Sequence, residues 1–211
     1  VNASDFAAWI RRAAELVTAD AERLTALDAA IGDGDHGLNL ARGFGAAVTA
    51  LDGLPAGTTP GKVLIGAGRA IVSKTGGASG PLYGTALRRA GKTLGDAAEP
   101  DAAALGTALR AALDGVRELG GAGEGDKTMV DALAAAVTAY ETAVDGGAGL
   151  PAAARAAATG AAEGAEATVP MVARKGRASY LGPRSAGHLD PGAASTVLLL
   201  RALADVTGGE G

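Results

Sequence analysis

Cysteine is missing from the 211 residues, which excludes disulfides and thiolate metal centres and fits a reducing compartment. Aromatic residues amount to 3% although hydrophobic residues reach 48%, so any core must be built from small side chains on closely packed elements. Positive charge is not in excess: the net charge of −4 argues against a nucleic-acid binder, whose phosphate contacts need lysine and arginine. The longest run of large apolar residues, Val197–Leu200, is far too short to span a bilayer, and no basic-plus-apolar leader opens the sequence. The expectation is a cytoplasmic domain that binds neither nucleic acid nor membrane, with residues 1–211 forming one domain of a length that can bury a substantial core.

What the sequence does hold is alanine, leucine, valine and 34 glycines, with alanine the strongest helix former. Between Asp126 and Asp145, Val130, Leu133, Val137, Tyr140 and Val144 recur in steps of three and four and fall on one helical stripe. Leu105, Leu109, Ala112, Leu113, Val116 and Leu119 do the same behind Asp101, an expected N-cap. Ser4 is the expected cap of a first helix burying Phe6, Ile10, Ala13 and Val17, followed by a stretch carrying Leu24 and Leu27 up to Gly32. Further helices are expected over Leu38–Leu51, Pro60–Val72, Pro81–Leu94, Pro151–Thr168 and Ala193–Val206, with prolines 60, 81 and 151 in first turns. Sustained alternation is absent, so the fold class is all-α, with about eight helices and little or no sheet.

Four segments interrupt this pattern: Leu27–Asn39, Lys74–Thr85, Gly120–Met129 and Ala173–Thr196. In the first, Asp28, Asp33 and Asp35 are interleaved with glycines at 32, 34 and 37 that let the backbone turn tightly. Three carboxylates brought to one point repel one another, and a hard divalent cation resolves the conflict; magnesium favours such oxygen ligands. An EF-hand is excluded because Phe44 stands where the bidentate glutamate belongs, and zinc is disfavoured with two histidines and no cysteine. Solvated turn residues are the plainer alternative. His36 admits three readings: metal ligand, phosphate donor or turn residue.

In the second segment, Gly76, Gly77, Ala78, Ser79 and Gly80 leave amides uncovered ahead of a helix, an arrangement suited to a phosphate and equally to a tight turn. The third segment is not a P-loop, because Asp126 separates Gly125 from Lys127 and the preceding pattern is helical rather than a strand. Asp126 is the expected cap of the following helix. In the fourth, Arg174, Lys175, Arg177 and Arg184 suit either bidentate phosphate contacts or a solvated patch. Tyr180 and His188 read as packing or capping residues, and Asp190-Pro191-Gly192 as a turn ahead of the last helix.

Taken together, LDAAIGDGDHG, GGASGPLYGT, GDKTM and ARKGRASYLGPRSAGHLDPGA, in this order, resemble the L subunits of bacterial dihydroxyacetone kinases that use the phosphotransferase system. The resemblance implies a barrel of eight antiparallel helices with nucleotide bound at one end. It implies two magnesium ions on Asp28, Asp33 and Asp35. Nucleotide contacts carry over to His36, Gly37, Leu38, Asn39, Ala78, Ser79, Gly120, Met129, Arg177, Asp190, Pro191 and Gly192, with Arg177 a phosphate stabiliser. ADP would stay bound as a coenzyme, take a phosphoryl group from a phosphohistidine on an M phosphocarrier subunit, and as ATP pass it to dihydroxyacetone held on a K subunit. Rivals are an ATP-dependent kinase module with exchangeable ATP, normally fused behind a K-type domain, and a nucleotide-binding regulatory module. Related domains also serve fatty-acid kinases, to which the ARKGRASY and Asp-Pro-Gly segments are less similar.

Overall fold

The computed structural model describes residues 1–208; residues 209–211, the end of the expected single domain, lie outside them. Among the described residues the chain is all-helical, with α1 Ala3–Ala19, α2 Ala21–Ile31, α3 His36–Asp52, α4 Pro60–Lys74 and α5 Ser79–Leu94. Then come α6 Ala102–Gly120, α7 Met129–Asp145, α8 Leu150–Ala167, a 3₁₀ segment Arg177–Ser185 kinked at Gly182, and α9 Pro191–Gly208.

Local chemistry sets the helix starts. Asn2, not Ser4, caps α1: its side chain accepts from the Ser4 and Asp5 amides while Asp5 returns a bond to the Asn2 amide. Ser4 lies two residues past the cap, already inside the helix. Asp101 caps α6 as expected, accepting from the Ala104 amide at 2.8 Å. Thr128 with Asp131 forms the capping box of α7, displacing Asp126, whose carboxylate instead accepts from the Gly123 amide within its own turn. Pro60 opens α4, whereas Pro81 is the third residue of α5.

Eight of the helices close into a ring: α1 packs on α3, each helix from α3 to α9 packs on the next, and α9 returns to α1. The indole of Trp9 donates to the Leu199 carbonyl at 2.8 Å, fastening that last seam. Short α2 stands outside the ring against α3 and α9. Brief connections such as Thr75–Ala78 and Gly146–Gly149 reverse the chain between neighbours. Alternate helices therefore run in opposite directions, and α3, α5, α7 and α9 all begin at the same end.

Small residues make this ring possible. A Cβ on Gly91 of α5 would sit 2.5 Å from the Gly61 carbonyl of α4, so these backbones touch directly. On α8, a Cβ on Gly164 would lie 2.5 Å from the Asp131 carbonyl of α7. The interior is filled by Phe6, Trp9, Ile10, Leu40, Phe44, Leu64, Tyr83, Leu113, Val137 and Tyr140, spaced by alanines. Among the described residues, no helix is long and apolar enough to cross a membrane. Replacing Gly164 with valine forces α7 and α8 apart. The expected cost is about 1–3 kcal/mol of unfolding free energy, read from the urea midpoint of the variant against the parent.

Candidate nucleotide and metal site

The four helix starts at one end surround a cleft of about 260 Å³. His36 of α3, Ala78 and Ser79 of α5, Met129 and Val130 of α7, and Pro191 and Gly192 of α9 all line it. The free amides and dipoles of helix N-termini favour an anion, and here four converge. Three are partly satisfied from within the protein. Asp28 takes the Asp35 and His36 amides at α3, Thr128 and Asp131 cap α7, and Asp190 takes the Ala193 amide at 2.7 Å in α9. The start of α5 has no side-chain cap, so its amides remain available to a ligand.

The acid loop hangs over this mouth. Asp28, in the last turn of α2, is buried, and Asp33 and Asp35 are exposed; one carboxylate oxygen from each lies within 4.8 Å of the others. Gly32 leaves room for the Asp28 carboxylate, which a side chain at that position would push aside. The donor set is oxygen only and fits magnesium. Asp33 also receives the Arg177 guanidinium at 2.9 Å, an exposed pair that closes one side of the cleft.

His36 occupies the floor. Burial lowers its pKa below the usual 6.5, against the pull of Asp28 and Asp35, so the ring is neutral at pH 7. Its Nε2 lies 2.9 Å from Ser195 Oγ, which lies 2.6 Å from the Tyr83 hydroxyl, and Tyr83 in turn reaches Thr196 at 3.0 Å. A serine beside a histidine invites comparison with a hydrolase nucleophile. Ser195, however, is fully buried, also donates to the Gly192 carbonyl, and does not line the cleft. The network joins α3, α5 and α9 beneath the ligand space.

Of the residues singled out from sequence, Asp28, His36, Ala78, Ser79, Gly120, Met129, Arg177, Asp190, Pro191 and Gly192 line the cleft, with Asp33 and Asp35 joining Asp28 at its mouth. Gly37, Leu38 and Asn39 do not line it. A Cβ on Gly37 would strike the Ala21 carbonyl, so that glycine serves the contact of α3 with α2. Leu38 points outward at 59% exposure. Asn39 is buried against Gly76, coupling α3 to the glycine-rich turn. Tyr180, expected to pack or cap, is 86% exposed and does neither, because the 3₁₀ turn that carries it faces outward. The His188 side chain is exposed, while its carbonyl accepts from the Lys127 ammonium.

Lys127, Tyr83 and Ser195 were not anticipated. Lys127 has φ of +61°, a left-handed conformation costing a lysine on the order of 1 kcal/mol, and its side chain is 1% exposed. Burial lowers the ammonium's pKa, opposed by Asp190 and Asp131. All three lie in segments that interrupt the helical pattern, but their roles leave no mark in sequence, because each takes its meaning from partners far along the chain.

Burial raises the Asp190 carboxyl to about 7 despite the Ala193 amide and the Lys127 ammonium. Its folded-state pKa thus lies above the unfolded value of 3.8, and the folded chain binds a proton that the unfolded chain has released between these values. Stability from this group is present at low pH and falls as pH rises towards 7. Asp190→Asn keeps the cap on α9 and removes the titration. Relative to the parent, the variant should gain stability from pH 5 to pH 8 in urea titrations; a constant difference would contradict the assignment.

The sequence pattern of the DAK2 domain matches residues 30–205. The chain is 40% identical over 196 residues to the ADP-binding subunit DhaL of the PEP-dependent dihydroxyacetone kinase of Escherichia coli (strain K12), covering 93% of each. It is 41% identical to a D-erythrulose kinase of Mycolicibacterium smegmatis, over 91% of this chain and 33% of that protein. Among solved structures it is similar to the dihydroxyacetone kinase from C. freundii in complex with AMP-PNP and Mg²⁺, with a TM-score of 0.69 and 29% identity. That match covers 94% of this chain and 33% of that one, so the chain spans about a third of the solved kinase. With a helical ring, an acid loop and an open helix start at one mouth, and with these matches along nearly its whole length, the chain belongs to the DAK2 domain family.

Proposed function

We propose that this chain is a phosphotransferase subunit that carries magnesium and ADP or ATP as a bound coenzyme in the cleft. It takes a phosphoryl group from a phosphohistidine carrier and passes it to dihydroxyacetone held on a partner K subunit. The observation that carries the reading is the meeting of the uncapped α5 start with the Asp28–Asp33–Asp35 cluster in one cleft. An anion that needs both bare amides and a divalent cation is a polyphosphate.

In this reading Asp28, Asp33 and Asp35 hold two magnesium ions, which neutralise charge on the phosphates when bound. The α5 amides and Ser79 hold phosphate oxygens, and Arg177 supplies a positive charge at the cleft wall. Leu82, Val116, Met129 and Val130 give the base an apolar wall. The cleft offers no nucleophile–base pair, in keeping with phosphoryl transfer by positioning and charge neutralisation. Gly37 lets α3 pack closely on the helix that carries Asp28, and Asn39 supports the glycine turn from behind. The location that goes with this reading is the cytoplasm, where nucleotide and phosphocarrier meet.

A second reading has the module exchanging ATP freely, as part of a larger kinase. It is favoured by the erythrulose kinase, in which the matched region is about a third of the chain. The two separate on one assay: dihydroxyacetone phosphate formed from phosphocarrier and K subunit with ADP never leaving the chain supports the coenzyme role. Asp33→Asn should lose magnesium-dependent ADP retention by tenfold or more while its helical circular dichroism is unchanged. Equal ADP affinity for parent and variant by calorimetry would sink the reading.

A further inference from the structure

The segment from Thr168 to Asp190 leaves the ring at the end of α8, crosses the mouth and returns at the start of α9. It supplies one wall of the cleft through Lys175, Gly176, Arg177 and Ala178, and packs Ala173 and Ala178 on Ile31 of α2. Its two ends meet. The Gly187 amide donates to the Val169 carbonyl at 2.7 Å, and the Asp190 amide to Thr168 Oγ1 at 3.0 Å. Into this neck reaches one side chain from a third element: the Lys127 ammonium donates to the Thr168 carbonyl at 2.5 Å and to the His188 carbonyl.

We propose that Lys127 is a positioning residue for nucleotide retention, clamping the neck of the Thr168–Asp190 strap so that Arg177 and the Asp190–Gly192 turn are held against the cleft. The inference rests on the magnesium–nucleotide reading given above. Two features separate it from simple core filling. A glycine would hold φ of +61° without strain, so lysine here accepts strain in exchange for a charged head. That head is buried and directed at backbone oxygens of both strap ends, where an apolar side chain of the same length would leave carbonyls without this donor. Two of its three N–H bonds are spent on the neck; Lys127 also lines the cleft, and strap exchange measured without nucleotide separates action through the strap from direct contact with the ligand.

The test uses Lys127→Met and Lys127→Gly in the full chain, the glycine variant being free of backbone strain and so the safer folder. Hydrogen exchange of residues 170–186 without nucleotide should rise in both variants while the ring helices keep their protection. Calorimetric affinity for ADP with magnesium should fall tenfold or more in both. Adding Arg177→Ala to Lys127→Met should weaken binding no further than Lys127→Met alone, because the clamp works by placing Arg177. Unchanged strap exchange in Lys127→Gly overturns the inference, as does loosened exchange with full affinity, or a fully additive loss with Arg177→Ala. A parent chain that fails to bind ADP defeats the functional reading instead, and the strap exchange still decides the clamp.

Discussion

Alternation around a closed ring is the constraint from which the rest of the molecule follows. Eight helices of alternating direction must present four starts and four finishes at each end, whatever their side chains. The starts of α3, α5, α7 and α9 line the cleft itself, and their first-turn amides favour an anion there. Closure itself depends on small side chains: where Gly61 faces Gly91 and Gly164 faces Asp131, the helices approach backbone to backbone.

The acid loop makes sense only against this field. Three carboxylates beside four positive helix ends are less unfavourable than the same three elsewhere, and Asp28 is fixed by the first amides of α3. In the proposed reading the negative groups lie where a cation would join them and the bare amides where a phosphate would lie. Beneath both, the neutral His36–Ser195–Tyr83 network keeps the floor polar and satisfied without adding charge. The Arg177–Asp33 pair completes the balance from the strap; exposed as it is, it contributes little to stability, at most about 1 kcal/mol.

Much of this was legible in the sequence. Helix periodicity placed the stripes of α6 and α7, save that Leu119 in the last turn of α6 is exposed, and Asp101 was a readable cap because its spacing to the next amides is local. The glycine and aspartate clusters marked both halves of the site, since their departure from helical pattern is itself a local signal. The Ser4 and Asp126 assignments failed within a residue or two of the true caps, where several short polar residues compete for the same amides. Lys127 was opaque for another reason. Its partners Thr168 and His188 lie on the far side of α7 and α8 in sequence, and its left-handed backbone leaves no mark on residue type. Leu38 and Gly37 lie beside the cleft in sequence, yet a helix turns successive residues to different faces.

The seam between α1 and α9, fastened by Trp9, has a topological consequence. Helix α1 starts, and α9 finishes, at the pole opposite the ligand mouth, side by side. A covalent extension at either terminus would emerge from that back pole and leave the catalytic approach unobstructed. An architecture of this kind can be tethered in series with other modules or left free to diffuse without altering what its front presents.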